Sequence, residues 1–241
     1  MIFKIPLLKK ILLKIKHGPK ADNKSYTKYL KKKGVLIGDN VEFNSPWTIN
    51  VDYSKPWLVS IGNNVIISSY VSILSHGADW RVLQNYYGDV IGSGDKVKIG
   101  DNVFIGIGST ILKGTTIGDN VIIGAGSVVT KDLESNGVYA GVPAKFIMSL
   151  EDYYKKRKNY QIQELKTNIK EYYIRNGVFP SEYQMQEYFW LFTNRSEKLK
   201  EYMSELNNNC SDSEKCRKKF RTTKQLYNSY DELLEDIRNE K

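Results

Sequence analysis

At 241 residues the chain has room for one domain or two small ones, and its 36 Lys and Arg against 27 Asp and Glu give a formal charge of +9. The excess sits in residues 1–33, where eleven lysines face the single acid Asp22; the remainder is close to neutral and carries no basic footprint for nucleic acid. Two cysteines, Cys210 and Cys216, and two histidines, His17 and His76, argue against a disulfide framework or a structural zinc site and fit a reducing cytoplasm.

Residues 1–33 form a basic, amphipathic N-terminal segment. After Pro6, the apolar residues Leu8, Ile11, Leu12 and Ile15 recur at helical spacing between lysines. Lysines interrupt the stretch too often for a signal peptide or a membrane span. Two roles stay open: peripheral contact of residues 1–20 with an anionic membrane, or packing on the folded body or a partner subunit.

From Val35 a period of six takes over. Ile37, Phe43, Ile49, Ile61, Ile67 and Ile73 keep one phase, with a lapse at Lys55 beside Pro56 and Trp57. Ile99, Ile105, Ile111, Ile117, Ile123 and Val129 keep a second phase, with a small or β-branched residue two positions before each. Six is a multiple of the strand period and not of the helical one, so each repeat is one flat side of a three-sided parallel β-helix. IGDNV at 37–41, 99–103 and 117–121, and IGNNV at 61–65, put Asn and Asp where left-handed corners are needed. Between the two phases, residues 77–95 do not fit the prism and leave it as an excursion loop.

Residues 150–241 read as a helical extension. Ile162, Leu165, Ile169, Tyr172 and Tyr173 have helical spacing and end at Asn176-Gly177; Ser181 with Gln184 makes a capping box. Tyr227, Tyr230, Leu233, Leu234 and Ile237 form a further helical pattern after a linker around 207–213. The expected role of this tail is to cover an end or outer face of the solenoid.

Dinucleotide, Walker and nucleophile-elbow motifs are absent from the sequence. His76 is the one histidine of the repeat region, at the junction of coil and excursion, where an imidazole can take a proton from a hydroxyl or amine. The plain alternative is a corner histidine satisfied by a hydrogen bond. Asp79 is near enough in sequence to orient the ring or bind substrate, and Trp80 and Arg81 follow it in the loop.

The run IGDNVFIGIGSTILKGTTIGDNVIIGAGSVVTKDL, followed by VYAGVPAKF, resembles the hexapeptide-repeat acetyltransferases, which take acyl groups from coenzyme A. The likeness covers residues 34–149. SHGADW and SLEDYYKKR are similar to the members that O-acetylate capsule, lipopolysaccharide or exopolysaccharide sugars. The resemblance implies a left-handed parallel β-helix, a homotrimer with active sites between adjacent prisms, acetyl-CoA as donor and a carbohydrate acceptor; no metal and a cytoplasmic location are the expectations from composition. The same resemblance implies His76 as the catalytic base. It places Gly106, Gly124, Ala125, Ser127, Thr130 and Lys131 along the pantetheine arm, and Pro143 and Lys145 near the adenine and phosphate end. Phe104 stands where many relatives have Trp. Other acceptors (a nucleotide-sugar amine, serine or an antibiotic) and a non-enzymatic binding solenoid stay open as alternatives.

Overall fold

The structure, a computed structural model, describes residues 7–192 and 213–240. These divide into two compact units, residues 7–153 and the described residues from 154 onward.

In the first unit short strands recur once per coil and stack into three sheets. The first sheet holds β1 (Leu36–Ile37), β4 (Val59–Ile61), β7 (Val97–Ile99) and β10 (Thr115–Ile117). The second holds β2 (Glu42–Phe43), β5 (Ile66–Ile67), β8 (Val103–Ile105), β11 (Val121–Ile123) and β13 (Gly137–Ala140), with β14 (Lys145–Ser149) antiparallel at its edge. The third holds β3 (Asn50–Val51), β6 (Ser72–Ile73), β9 (Thr110–Ile111) and β12 (Val128–Val129). Apart from the β13–β14 pair, every strand pairing is parallel. Val97 pairs with Thr115 and Val103 with Val121, an 18-residue coil.

The phase-keeping aliphatics fill the prism: Ile67, Ile73, Ile105, Ile111, Ile123 and Val129 are fully buried. Burying each such side chain contributes roughly 1.5–3 kcal/mol. Corner asparagines do what the sequence expects. Asn40, Asn64, Asn102, Asn120 and Asn136 all have φ between 53° and 63°, and Asn102, Asn120 and Asn136 bond side chain to side chain at 2.8 and 2.9 Å. The glycine before this corner is needed for close approach, since a Cβ on Gly100 would lie 2.8 Å from the Gly118 backbone. Asn120→Ala is therefore expected to lower stability by about 1–2 kcal/mol, and Asn120→Gly by less, because glycine keeps the left-handed backbone. Urea unfolding midpoints check the order.

The first coil is longer. Ile37 pairs with Ile61, 24 residues on, and the extra residues enter at 3₁₀ turns over Pro46–Thr48 and Pro56–Leu58. Val51, not Ile49, is the residue that pairs with Ile73. The lapse at Lys55 is this enlarged corner. The excursion is also more ordered than a loop: Trp80–Tyr87 forms α3, which ends at Gly88 with φ 75°.

The solenoid is closed by its own flanks. After α1 (Leu7–His17), helix α2 (Asn23–Lys33) starts at an Asp22 cap, 2.8 Å from Ser25 N. Tyr26 and Leu30 of α2 are fully buried in the solenoid core, with Tyr26 edge-on to Phe43 at 5.0 Å. Leu133, Tyr139 and Ala144 complete the core after the last coil.

Helix α4 (Leu150–Asn176) ends where Asn176-Gly177 predicts, with Gly177 N on Tyr173 O at 2.8 Å. Ser181 N meets Gln184 Oε1 at 2.8 Å, though the turns it starts, Glu182–Leu191, are 3₁₀. Leu165 and Ile169 of α4 share a core with Phe189, Phe192, Phe220 of α5 (Ser213–Thr222) and Leu233 and Ile237 of α6 (Tyr230–Asn239). The tail thus buries these apolar residues in a core of its own. Cys216 is disulfide-bonded, which corrects the expectation of reduced thiols. Cys210, the only other cysteine in the sequence, and the linker expected over 207–213 as far as residue 212 lie outside the described residues.

Candidate active site

The enlarged corner of the first coil and the excursion of the second leave the prism at the same edge, between the third and first sheets. Strands β3 and β6 pair with a 22-residue offset, which sets Asp52 to Ser54 beside Leu74 to His76. His76 Nδ1 lies 2.5 Å from Asp52 Oδ2 and 3.2 Å from Ser54 Oγ. The ring is 45% exposed, whereas the Asp52 side chain is 9% exposed.

Burial alone would raise the Asp52 carboxyl. The hydroxyl of Ser75 (2.6 Å), the Ser54 backbone N–H (3.0 Å), the His76 ring and the Ser54 hydroxyl (2.8 Å) outweigh it and hold the group well below the usual carboxylate range. An ionised carboxylate can only accept, so the proton of a neutral His76 ring sits on Nδ1. Nε2 then keeps its lone pair, and it has no hydrogen-bond partner among the described residues. This is the arrangement of an oriented general base.

Backbone pairing holds the junction in place. His76 bridges antiparallel to Gly94, Gly77 N donates to Ser93 O at 3.2 Å, and Asp95 N donates to Ser75 O at 2.9 Å. Asp79 does not reach the ring, where Asp52 already holds Nδ1. It accepts from Ser93 Oγ at 3.0 Å, a bond that keeps its carboxyl below the ordinary range, and Lys113 Nζ donates to the same Ser93 hydroxyl. Asp79 is thus a tie across the neck of the excursion. Trp80 is half-buried with the Arg81 guanidinium 5.7 Å from its ring centroid, and Arg81 itself is exposed.

The other expected site residues fall on two edges. Thr130 and Lys131 are exposed on the His76 edge, two coils on. Gly106, Gly124 and Ala125 lie on a different edge, between the second and third sheets. There Gly108 N bonds Ser69 O, Gly126 N bonds Ile107 O and Val128 N bonds Gly141 O, which stacks successive corners into a strip. Ile107 (51% exposed) and Val142 (72%) line it, and at Gly108 and Gly126 the space a Cβ would take is open. Pro143 and Lys145 are exposed beyond its end. Gly106 itself is buried: a Cβ would come 2.5 Å from Ala125 N, so coil contact explains the glycine. Ser127 is buried as well, its hydroxyl donating to Gly124 O at 2.6 Å and accepting from Gly141 N at 3.2 Å. A backbone-lined strip with exposed apolar side chains and a lysine beyond one end has the chemistry that an extended amide-bearing chain ending in a phosphate would need.

Asp52 and Ser54, which contact the His76 ring, are residues of this candidate site that sequence reasoning missed. One coil back from His76 leads to residues 52–54, and that was the available signal. Among the described residues no cluster of three or more His, Cys, Asp or Glu could hold a metal.

The profile of the family described as "Bacterial transferase hexapeptide (six repeats)" matches residues 96–131. Protein CapG of Staphylococcus aureus is 36% identical over 185 residues, which cover 73% of this chain and 99% of CapG. Galactoside O-acetyltransferase of Escherichia coli (strain K12) is 35% identical over 134 residues, covering 55% of this chain and 61% of that protein. The crystal structure of a maltose O-acetyltransferase from Clostridium difficile 630 aligns with a TM-score of 0.39 at 32% identity, covering 59% of this chain and 84% of that one.

Proposed function

The chain belongs to the hexapeptide-repeat acetyltransferase family, and from that premise we propose that it transfers an acetyl group from acetyl-CoA to a sugar hydroxyl of a surface polysaccharide or its precursor. The observation that carries this reading is the His76 ring, fixed at Nδ1 by Asp52 and open at Nε2. His76 Nε2 takes the proton of the acceptor hydroxyl as that oxygen attacks the thioester carbon. It returns the proton to the sulfur as the carbon–sulfur bond breaks. Asp52 stays ionised and stabilises the imidazolium between the two steps. The donor supplies a carbonyl already activated as a thioester, so no covalent acyl-enzyme is needed. Galactoside O-acetyltransferase, by its name, acts on a sugar hydroxyl, which favours a carbohydrate over an amine acceptor here.

One prism carries the base on one edge and the apolar strip on another, at opposite ends of the third sheet's strands. A closed homotrimer supports both halves at once, by setting the His76 edge of one chain against the strip of the next. The cytoplasm, where such a thioester is at hand, is the compartment this reading assigns, with residues 1–20 at the inner face of the membrane.

Thiol release from acetyl-CoA, followed across a panel of galactosides, amino sugars and uronates, tests the reaction. Release with a sugar hydroxyl is expected. Release only with serine or a sugar amine would replace the acceptor class. No release together with no coenzyme A binding would leave a binding solenoid. Lys145→Ala is expected to weaken coenzyme A about tenfold, by loss of one charge-assisted contact, and to leave kcat within a few-fold. Calorimetric titration beside steady-state rates checks that split.

A further inference from the structure

We infer that the N-terminal end of the solenoid is a docking face for anionic phospholipid membrane. This deepens the proposed assignment of residues 1–20, and its multivalent part rests on the trimer reading. Among its described side chains, helix α1 leans on the body through one side. Leu13 and His17 are half-buried, and His17 stacks on Trp47 with ring centroids 5.5 Å apart. Ile11, Leu12 and Ile15 point the other way, being 47%, 57% and 77% exposed. At about 100° per residue the two sets lie on opposite sides of the helix. A helix held for core packing would turn its broad apolar face inward; this one turns it out.

Charge gives the occupant. Lys14 and Lys16 are exposed and flank the apolar face, and Lys9 and Lys10 precede it in the sequence. Exposed Lys24, Lys28 and Lys31 share one face of α2, beside the corner of Asp39 and Asn40. The only acid in either helix or their connection, Asp22, caps α2 through Ser25, with the charge of Lys14 also acting on it. The face is also fixed to the solenoid: Lys20 Nζ, between the helices, bonds Ile49 O at 2.6 Å. An apolar stripe edged by lysines on both sides matches the boundary of acyl chains and anionic headgroups. In a closed threefold assembly of parallel prisms the same end of every chain faces the same side. Three such helices would then meet one membrane together, with the gain in avidity that linkage gives.

Co-sedimentation with vesicles tests it, using the full chain on phosphatidylcholine with and without phosphatidylglycerol. Binding is expected only to the anionic vesicles and is expected to fall at high salt. The triple variant Ile11→Ser, Leu12→Ser, Ile15→Ser should lose at least tenfold in partitioning. The variant Lys9→Gln, Lys10→Gln, Lys14→Gln, Lys16→Gln should lose roughly five-fold per lysine. Both should keep parental circular dichroism and thiol release on a soluble acceptor. Equal binding to both lipids, or binding that the triple variant leaves unchanged, would overturn the docking face. A monomer by light scattering whose vesicle binding still falls in these variants would overturn the trimer alone.

Discussion

His76→Ala is expected to lower kcat by roughly 10²–10⁴ while coenzyme A affinity stays within a few-fold of the parent. The separation is spatial. His76 stands on the edge between the third and first sheets, whereas the proposed coenzyme A strip of Ile107, Gly126 and Val142 lies on the edge between the second and third. The ring is 45% exposed and its loss opens no core cavity, so the variant should fold. Single-turnover acetyl transfer, with calorimetric titration of coenzyme A on the same preparation, gives both numbers. Activity kept within a few-fold would show that the base lies elsewhere. Loss of coenzyme A binding as well would show that donor and base share one edge of one chain.

Asp52→Asn is expected to cost almost as much in kcat, about 10²–10³, although the residue need touch no substrate. An amide can present either its oxygen or its NH₂ to Nδ1, which releases the ring's tautomer, and it carries no charge to stabilise the imidazolium. The same substitution should alter acid stability. Asp52 is held below the usual carboxylate range in the folded chain, so its stabilising contribution is complete above about pH 4 and is lost as pH falls below that. Urea midpoints from pH 6 to pH 3 should therefore fall more steeply in the parent than in Asp52→Asn. Parallel curves would mean that the carboxylate is not selectively stabilised by Ser75, Ser54 and His76.

What the sequence makes legible is whatever repeats. Ile105 and Ile123 sit one above the other because each flat side presents the same position to the prism, and Asn102 and Asn120 because each corner needs the same backbone turn. Asp52 was hidden for the opposite reason. Asp79, three residues from His76, is near along the chain, but the neighbours of a residue in a solenoid are one coil away. The coil between Asp52 and His76 is stretched by the turn at Pro56, and the turn at Pro46 has already shifted the phase before Asp52, so phase counting gives no firm register there. Helix α3 escaped notice because none of its residues is buried, and no core imposes a periodic pattern on it. In the tail, helical spacing picks out Leu165, Ile169 and Leu233 within their own helices but not which residues pack together. The partners of Leu165 and Ile169, among them Phe189, Phe220 and Leu233, come from elements with no fixed sequence offset.

Central to the account is that His76 and Asp52 act as one unit at the chemical step. The most direct test is the kcat of the double variant His76→Ala, Asp52→Asn, measured by thiol release from acetyl-CoA with the best sugar acceptor, beside both single variants. Groups that share one task are not additive, so the double variant is predicted to match His76→Ala within a few-fold. A double variant slower by the full product of the two single losses would show two independent contributions and would contradict the account.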